Sequence, residues 1–254
     1  MSKKEKGVVA VIPARFASSR FPGKPLAPLA GRPVIEHVVK RASRARYVDR
    51  VLVATDDERI YRAVKNFGGE AVMTSASHAT GTDRIGEAVR EIQYDIVVNV
   101  QGDEPVIDPA AIDTAVSPLL ADDTIVMSTL AAPITEIDDL VSPHVVKVVV
   151  DINGDALYFS RSVLPGSRDG VFDAASGGYL RHIGLYVFRR DFLFTFIGLS
   201  QSPLERAENL EQLRALENGY PIRVITTTYA GMDVNTPEDL VRLERLIADG
   251  RLVL

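Results

Sequence analysis

The sequence contains no cysteine among its 254 residues. This absence excludes disulfide bonds, thiolate metal sites and cysteine nucleophiles, and it is compatible with a reducing compartment. The N-terminus also lacks a long hydrophobic run, because the polar segment MSKKEKG is followed by only five apolar residues before Pro13. Such a run is too short for a signal-peptide core or a membrane span. We therefore expect a cytoplasmic protein with no membrane partner.

Two familiar phosphate-binding loops are absent as well. The first apolar run is not followed by Gly-x-Gly-x-x-Gly, and no Gly-x-x-x-x-Gly-Lys-Ser/Thr occurs. The sequence shows no internal repeat, and its four histidines form neither a convincing Ser/His/Asp arrangement nor a His-x-x-x-His pair. A dinucleotide oxidoreductase and covalent catalysis are therefore disfavoured.

The composition is that of a globular protein, with 46% hydrophobic and 25% charged residues. The net charge of −5 argues against an extended nucleic-acid surface, so a basic loop in this chain indicates a local site for a small anion.

Residues 8–29, VVAVIPARFASSRFPGKPLAPL, are the most informative stretch. The uninterrupted apolar run at residues 8–12 is typical of a strand that is covered on both faces of a parallel sheet. The loop after it supplies cations, hydroxyls and a glycine: Arg15, Ser18, Ser19, Arg20, Gly23 and Lys24. We interpret this loop as a binding site for a triphosphate, and the alternative is a surface loop with solvated cations.

Strands and helices alternate through the next hundred residues. Apolar runs predict strands at 51–54, 71–74, 96–100 and 125–130. Apolar periodicity and capping residues predict helices that begin at Pro33, after Thr55, near Asp83 and at Asp108. This alternation predicts an α/β fold with an open, mostly parallel twisted sheet and helices on both faces.

The pattern changes after residue 140. Apolar runs at 145–151 and 156–160 flank Asn153-Gly154, a dipeptide typical of hairpin turns in which both central residues have positive φ. A further strand is expected at 182–188. We predict one domain over residues 1–254, with an antiparallel excursion at about 140–190. Its exposed edge predicts a homodimer.

The remaining chain predicts two capped helices around a strand at 222–228. Ser202-Pro203-Leu204-Glu205 is a capping box that opens a helix to Asn218, and Thr236-Pro237-Glu238-Asp239 caps the last helix. In the first helix, Glu211 and Gln212 place polar groups within the leucine stripe as candidate functional residues, and solvent-facing positions would explain them equally well. Four further charged residues are also expected on a solvated face, with the first in its capping role: Glu205, Arg206, Glu208 and Arg214.

Acidic residues that follow strands are the candidate metal ligands. Asp103, in VNVQGDEP, follows a predicted central strand, where ligands bind in open parallel sheets. Asp233 follows the last strand, and a role as a loop or capping carboxylate is equally compatible with its spacing. Mg²⁺ takes one or two protein carboxylates together with phosphate oxygens, so these residues suit a magnesium–triphosphate site.

Two other candidate functional residues or motifs could have purely structural roles instead. In Thr80-Gly81-Thr82-Asp83-Arg84 a backbone could approach a ligand at Gly81 and Arg84 supplies a cation, but a helix cap at Thr82 or Asp83 is equally compatible. His182 stands beside Arg181, and a lone histidine is more often structural than functional.

Taken together, several segments closely resemble the CMP-Kdo synthetases, the 3-deoxy-manno-octulosonate (Kdo) cytidylyltransferases. They are VVAVIPARFASSRFPGKPL, ATGTDRI, VNVQGDEP, VVKVVVDINGDALYFSR, RHIGLYVFRRDFL, SPLERAENLEQLRALENG and DVNTPEDL. The resemblance implies an α/β nucleotidyltransferase, typically a homodimer, that makes CMP-Kdo and pyrophosphate from CTP and Kdo for lipopolysaccharide biosynthesis.

The resemblance also implies site residues. Nucleotide contacts are implied for Ala14, Arg15, Ser18, Lys24, Gly81, Arg84 and Gln101, and sugar contacts for Gln101, Arg161, His182, Tyr186, Glu211 and Gln212. Asp103 and Asp233 are implied as ligands of Mg²⁺, with Asn235 as a rival for the second position, and Arg15, Lys24 and Asp103 as catalytic residues.

Other functions stay open beside this one. A CMP-sialic acid synthetase, or an enzyme for an amino-substituted Kdo, would share the phosphate site and the metal. A non-catalytic nucleotide-binding domain would retain the fold, although it would have no need of a pair of metal carboxylates.

Overall fold

The apolar run at residues 8–12 lies in a buried strand of a computed structural model, which describes residues 7–17, 21–174, 177–252 and 254. The strands are β1 (Val8–Ala14), β2 (Pro28–Leu29), β3 (Arg32–Pro33), β4 (Arg50–Thr55), β5 (Ala71–Met73), β6 (Ile96–Asn99), β7 (Met127–Pro133), β8 (Lys147–Val150), β9 (Ala156–Ser160), β10 (Leu180–Arg189) and β11 (Arg223–Thr226). The α-helices are α1 (Val34–Ala42), α2 (Glu58–Asn66), α3 (Gly81–Ala88), α4 (Pro109–Ala121), α5 (Ile137–Val141), α6 (Arg190–Gly198), α7 (Pro203–Glu208), α8 (Leu213–Glu217) and α9 (Pro237–Ala248).

The chain forms two compact units, and it passes from the first to the second within α4 and returns between Ala230 and Gly231. Unit 1 comprises Met1–Asp113 and Gly231–Leu254, and unit 2 comprises Thr114–Ala230. The single-domain organisation, with an excursion at about 140–190, stays a prediction.

Unit 1 contains four parallel strands in the order β6-β1-β4-β5. Residues 8–12 of β1 are at most 1% exposed, as expected for a strand with neighbours on both edges and cover on both faces. The C-terminal helix α9 belongs to this unit, because Leu243 and Val234 share an apolar cluster with Leu29, Val34 and Val106. The parallel βαβ arrangement predicted for the first half of the chain is therefore confirmed.

Unit 2 is mixed rather than parallel. Strand β7 pairs in parallel with β11 and antiparallel with β10, which also pairs antiparallel with β8. The predicted hairpin is confirmed as β8–β9, but its turn differs from the prediction, because only Gly154 of the central pair has a positive φ, at 83°. The Asp151 carboxylate accepts the backbone N–H groups of Asn153 and Asp155, at 2.8 and 2.9 Å, which favours a longer turn.

The single helix predicted for residues 202–218 is wrong. Its capping box at Ser202 and Glu205 is present, but Asn209 adopts a left-handed conformation with φ of 52°, which ends α7. Helix α8 begins only at Leu213. The break places Glu211 and Gln212 in the connection between the two helices rather than on a helical face.

The solvated face predicted near α7 is also wrong for three of its four members. Glu205 and Arg214 are buried and form a two-point ion pair with distances of 2.6 and 2.8 Å. Glu208 is half-buried and accepts from the Ser160 hydroxyl at 2.6 Å and the Arg161 amide at 3.0 Å. Arg206 alone is exposed, as predicted.

Several short elements lie outside the sequence predictions. Strands β2 and β3 form a two-residue antiparallel pair, and Pro33 occupies the N-cap of α1 rather than its first helical position. Helices α5 and α6 were not expected, although Phe192, Leu193 and Phe196 bury one side of α6. No helix in the described part of the chain has the length and apolar character needed to cross a membrane.

We expect Glu205→Ala to lower the free energy of unfolding by about 3–5 kcal/mol, because it removes the carboxylate that accepts two hydrogen bonds from the buried Arg214 guanidinium. Glu58→Ala is the matched control, since Glu58 pairs with Arg62 on an exposed helical surface, and it should cost less than about 1 kcal/mol. Urea unfolding of both variants measures the difference. Equal costs for the two substitutions would contradict the importance of the buried pair.

Candidate active site

A cavity of about 230 Å³ in unit 1 lies where β1 and β6 end. Because the two strands are adjacent and parallel, the loops at their carboxyl ends reach the same edge of the sheet. The lining residues are Pro13, Ala14, Arg15, Ala17, Lys24, Pro25, Gly81, Gln101, Gly102 and Asp103. The structure thus brings together Ala14, Arg15, Lys24, Gly81 and Gln101 of the residues predicted to bind nucleotide. Ser18 lies outside the described residues.

Lys24 and Asp103 form an ion pair across this cavity. Their Nζ and Oδ2 atoms are 2.6 Å apart, and the side chains are 13% and 26% exposed. Lys24 begins a short 3-10 helix after Gly23, whose left-handed φ of 75° turns the loop at that point. The Lys24 ammonium and the Asp103 carboxylate neutralise each other within the cavity. An incoming phosphate and an incoming metal ion could each take one member as its partner.

Arg15 connects two loops around the cavity. Its Nη2 atom donates to the carbonyl oxygens of His78, at 2.6 Å, and Thr80, at 3.2 Å. Thr80 in turn caps α3, because its hydroxyl accepts the Asp83 amide while the Asp83 carboxylate accepts the Thr80 amide. The cap is therefore at Thr80 rather than at Thr82 or Asp83. Gly81 is the first residue of the helix, where backbone N–H groups favour an anion.

Two glycines allow the loops to approach β1. A Cβ atom at Gly102 would lie 2.8 Å from the Pro13 carbonyl oxygen, closer than real side chains come, and one at Gly81 would lie 3.3 Å from the Pro13 ring. Both loops therefore pack against the end of β1 at distances that only glycine permits comfortably. The cavity depends on these close contacts for its shape.

Arg84 has a different environment from its neighbours in the same motif. Its side chain is fully buried, and its guanidinium donates to Asp56 at 2.7 Å and to the Thr74 hydroxyl at 2.5 Å. The structure therefore gives Arg84 a structural ion pair that joins α3 to the ends of β4 and β5. Its contact with nucleotide stays a prediction.

Asp103 and Asp233, the predicted ligands of Mg²⁺, lie on loops that touch. The Val234 amide donates to the Asp103 carbonyl oxygen at 2.8 Å, so residues 103 and 233 are held near each other by the backbone. The donor chemistry fits Mg²⁺, which takes one or two carboxylates and completes its shell with phosphate and water oxygens. No cluster of three or more metal-binding side chains occurs among the described residues. The backbone N–H of Asn235 donates to the Asp239 carboxylate at the start of α9. The choice between Asp233 and Asn235 as the second ligand of Mg²⁺ stays open.

Most of the predicted sugar contacts lie in unit 2, where His182 and Tyr186 share strand β10. Their ring centroids are 5.4 Å apart, and Phe159 contacts His182 edge-on at 4.9 Å. Burial lowers the pKa of His182 to about 3, and burial together with the nearby Glu211 charge raises the pKa of Tyr186. His182 is therefore a neutral imidazole and Tyr186 a neutral phenol at physiological pH.

Glu211 and Gln212 follow the break between α7 and α8. Gln212 is 3% exposed, and among the described residues its Nε2 atom has no hydrogen-bond partner. A buried amide donor of this kind is costly unless a ligand or water accepts from it. Arg161, by contrast, donates to the carbonyl oxygens of Glu208, at 2.9 Å, and Pro143, at 3.1 Å, so its observed role is to tie loops together.

Two polar residues of unit 2 were missed by the sequence predictions. Lys147 is fully buried and donates to the carbonyl oxygens of Ser142, Val145 and Arg161 at 2.6–2.9 Å. A lysine inside the apolar run VVKVVV is a signal that could have identified it. Thr129 is buried beside His182, with 2.9 Å between its hydroxyl and the imidazole Nε2, and nothing in its strand sequence distinguishes it.

A cavity lined by Arg15, Lys24 and Asp103 at the strand ends of a parallel sheet fits an α/β nucleotidyltransferase, and the comparisons show that class. A family model described as cytidylyltransferase matches residues 9–226. Proteins called 3-deoxy-manno-octulosonate cytidylyltransferase are similar to the chain: that of Syntrophotalea carbinolica is 56% identical over 93% of this chain and 97% of its own length, and that of Geobacter metallireducens is 53% identical over 92% and 94%. The chain therefore belongs to the 3-deoxy-manno-octulosonate cytidylyltransferase family.

A solved structure extends the similarity to three dimensions. It is described as a CMP:2-keto-3-deoxy-manno-octonic acid synthetase complexed with CTP, and it is 42% identical with a TM-score of 0.90 over 96% of this chain and 99% of its own. The family resemblance and the fold class predicted from the sequence are both confirmed.

The low pKa of His182 predicts a pH effect on stability. As the pH falls, the unfolded chain takes up a proton near 6.5 while the folded protein does not until about 3, so folding stability is lost over that interval. This protonation lowers the free energy of unfolding by up to about 2 kcal/mol between pH 7 and pH 5. Urea unfolding at both pH values should show that His182→Gln loses less stability than the wild type.

His144→Gln is the control for that experiment, because His144 is exposed. It should lose as much stability as the wild type over the same interval. Identical pH dependence in all three proteins would contradict a His182 imidazole that stays neutral in the folded protein.

Proposed function

We propose that the protein transfers the cytidylyl group of CTP to Kdo and releases pyrophosphate. The observation that carries the proposal is the cavity at the ends of β1 and β6, where Arg15, Lys24 and Asp103 come together in a chain of this family. The supporting comparison is the solved relative at 42% identity, whose description includes bound CTP. The product, CMP-Kdo, would enter lipopolysaccharide biosynthesis.

Unit 1 supplies the nucleotide contacts in this proposal. Lys24 and the N-terminus of α3 at Gly81 supply positive charge to the phosphates, and Arg15 fixes the loop that precedes α3. Gln101 lines the same cavity, and its amide donates to Asn99 at 3.1 Å, which restricts its orientation. Arg15 is held by backbone carbonyls, and Lys24 and Gln101 are held by the Asp103 and Asn99 side chains, before any ligand arrives. This lowers the cost of organising these groups during the reaction.

Asp103 and Asp233 would hold Mg²⁺. When bound, the ion neutralises phosphate charge and lowers the pKa of a coordinated hydroxyl. An Asp103 carboxylate that held a metal ion would leave the Lys24 ammonium available to the departing pyrophosphate.

The bond changes follow from the substrates. An oxygen of the Kdo anomeric hydroxyl bonds to the α-phosphorus, the bond from that phosphorus to the bridging oxygen of the β-phosphate breaks, and the hydroxyl proton leaves to solvent. The chain contributes position and charge rather than a covalent intermediate.

Unit 2 supplies most of the sugar contacts, and Gln101 of unit 1 is the exception. His182, Tyr186, Glu211 and Gln212 are assigned to Kdo, and the buried Gln212 amide is the clearest support, because it offers a donor for which the described residues provide no acceptor. Arg161 has a weaker claim, since its guanidinium already donates to backbone carbonyls.

We also propose a cytoplasmic homodimer. CTP is a cytoplasmic substrate, and the β8–β9 hairpin carries two exposed apolar side chains, Ile152 and Leu157. Burial of these side chains against a second copy would remove apolar surface from water. The mass of the protein in solution tests whether it is a dimer.

Pyrophosphate release tests the function directly. With CTP and Mg²⁺, we expect release when Kdo is the acceptor and none with sialic acid or with no acceptor, because the similar proteins at 53% and 56% identity are called 3-deoxy-manno-octulosonate cytidylyltransferases. Release with sialic acid instead would favour the related synthetase. Binding of CTP without release for any acceptor, including an amino-substituted Kdo, would favour a non-catalytic nucleotide-binding domain.

We expect Asp103→Asn to lower turnover about 100-fold or more and to raise the Mg²⁺ concentration needed for half-maximal rate, because a neutral amide is a poorer ligand for a hard cation. Asp123→Asn is the control, since Asp123 is 71% exposed, and it should leave both quantities unchanged. Near-normal turnover of a folded Asp103→Asn protein at the same Mg²⁺ concentration would refute the metal assignment.

A further inference from the structure

The Thr129 hydroxyl in unit 2 has three polar neighbours. Its Oγ1 atom lies 2.9 Å from His182 Nε2, 3.1 Å from the Ile183 carbonyl oxygen and 2.9 Å from the Leu185 carbonyl oxygen. A threonine hydroxyl carries one proton, and carbonyl oxygens only accept. The hydroxyl proton is therefore used by the two carbonyls, and Oγ1 is left to accept from the histidine.

An irregularity in β10 creates this arrangement. Ile183 pairs with Leu130 and Tyr186 pairs with Thr129, so two residues of β10 have no counterpart on β7. A bulge of this kind leaves carbonyl groups outside the regular ladder. The Thr129 hydroxyl is a hydrogen-bond donor to the carbonyl oxygens of Ile183 and Leu185. The backbone thus dictates the direction of the hydroxyl proton.

We propose that Thr129 fixes His182 as the tautomer with the proton on Nε2, so that Nδ1 is a permanent hydrogen-bond acceptor for a hydroxyl group of the sugar acid rather than for its carboxylate. Thr129 is a positioning residue in this proposal, since it acts through His182. The inference rests on the proposed function for its ligand, whereas the tautomer itself is a property of the protein without substrate.

The contacts around the His182 ring favour one orientation and one tautomer of the imidazole. Phe159 meets His182 edge-on with an interplanar angle of 78°, and Tyr186 lies against the ring on the same strand, so the imidazole plane is restricted. Burial keeps the ring neutral at physiological pH, which leaves the two neutral tautomers as the alternatives. A neutral acceptor nitrogen repels a carboxylate and attracts a hydroxyl proton, which is the basis for selecting one group of the substrate.

Nitrogen NMR of the ¹⁵N-histidine-labelled protein without substrate tests the tautomer. The wild type should show a protonated-type Nε2 and an unprotonated-type Nδ1 for His182, with the signal assigned by its loss in His182→Gln. Thr129→Val should give averaged shifts, because the hydroxyl that selects the tautomer is gone, and Thr129→Ser should retain the wild-type pattern. A proton on Nδ1 in the wild type, or an unchanged pattern in Thr129→Val, would overturn the proposal.

Kinetics test the consequence for the substrate. Thr129→Val should raise KM for Kdo about twofold, because the tautomer that accepts at Nδ1 then makes up roughly half of the population. KM for CTP should stay constant, and Thr129→Ser should restore KM for Kdo. A structural role alone would change both substrates or neither.

Substrate analogues identify the group that is recognised. One deoxy analogue of Kdo should lose affinity for the wild type but show no further loss in His182→Gln. If the carboxamide analogue shows that coupling instead, His182 contacts the carboxylate and the hydroxyl assignment is wrong. If no acceptor is used at all, the NMR result still decides the tautomer, so failure of the proposed function is distinguishable from failure of this inference.

Discussion

The burial of β1 between β4 and β6 is the constraint on which unit 1 depends. A strand paired on both edges and covered on both faces has little freedom to shift, so its last residues provide a fixed reference for the loops around it. Pro13 stands at that point, and Gly81 and Gly102 both pack against it. The position of the cavity is thus a property of the sheet rather than of any one loop.

Electrostatics add a second constraint on the same cavity. Lys24 and Asp103 neutralise each other in the absence of substrate, which avoids an uncompensated charge in a partly buried place. The Asp103 backbone is fixed separately by the Val234 amide. A change of partner at the carboxylate therefore requires motion of side chains and leaves the backbone of the loop where it is.

The sequence predicted the sheet of unit 1 well because its strands are uniformly apolar and some of its helices begin at recognisable caps, such as Thr236. The cap of α3 lies at Thr80, two to three residues before the predicted positions. It failed where a single backbone conformation decided the outcome. Asn209 divides one predicted helix into two, and nothing in an apolar periodicity signals a left-handed residue at that position. The residues of the cavity could be named from the loops that follow β1 and β6, whereas the Glu205–Arg214 and Arg84–Asp56 ion pairs could not, because charge alone does not indicate burial.

The buried ammonium of Lys147 gives unit 2 an intrinsic reporter of its own motions. All three of its protons are held by backbone carbonyls in the folded protein, and no part of its side chain reaches solvent. An acylating reagent can therefore modify this amine only during moments when the surrounding backbone opens. The rate of its modification, compared with that of the exposed Lys65, would measure how often that part of the chain opens, without any engineered label.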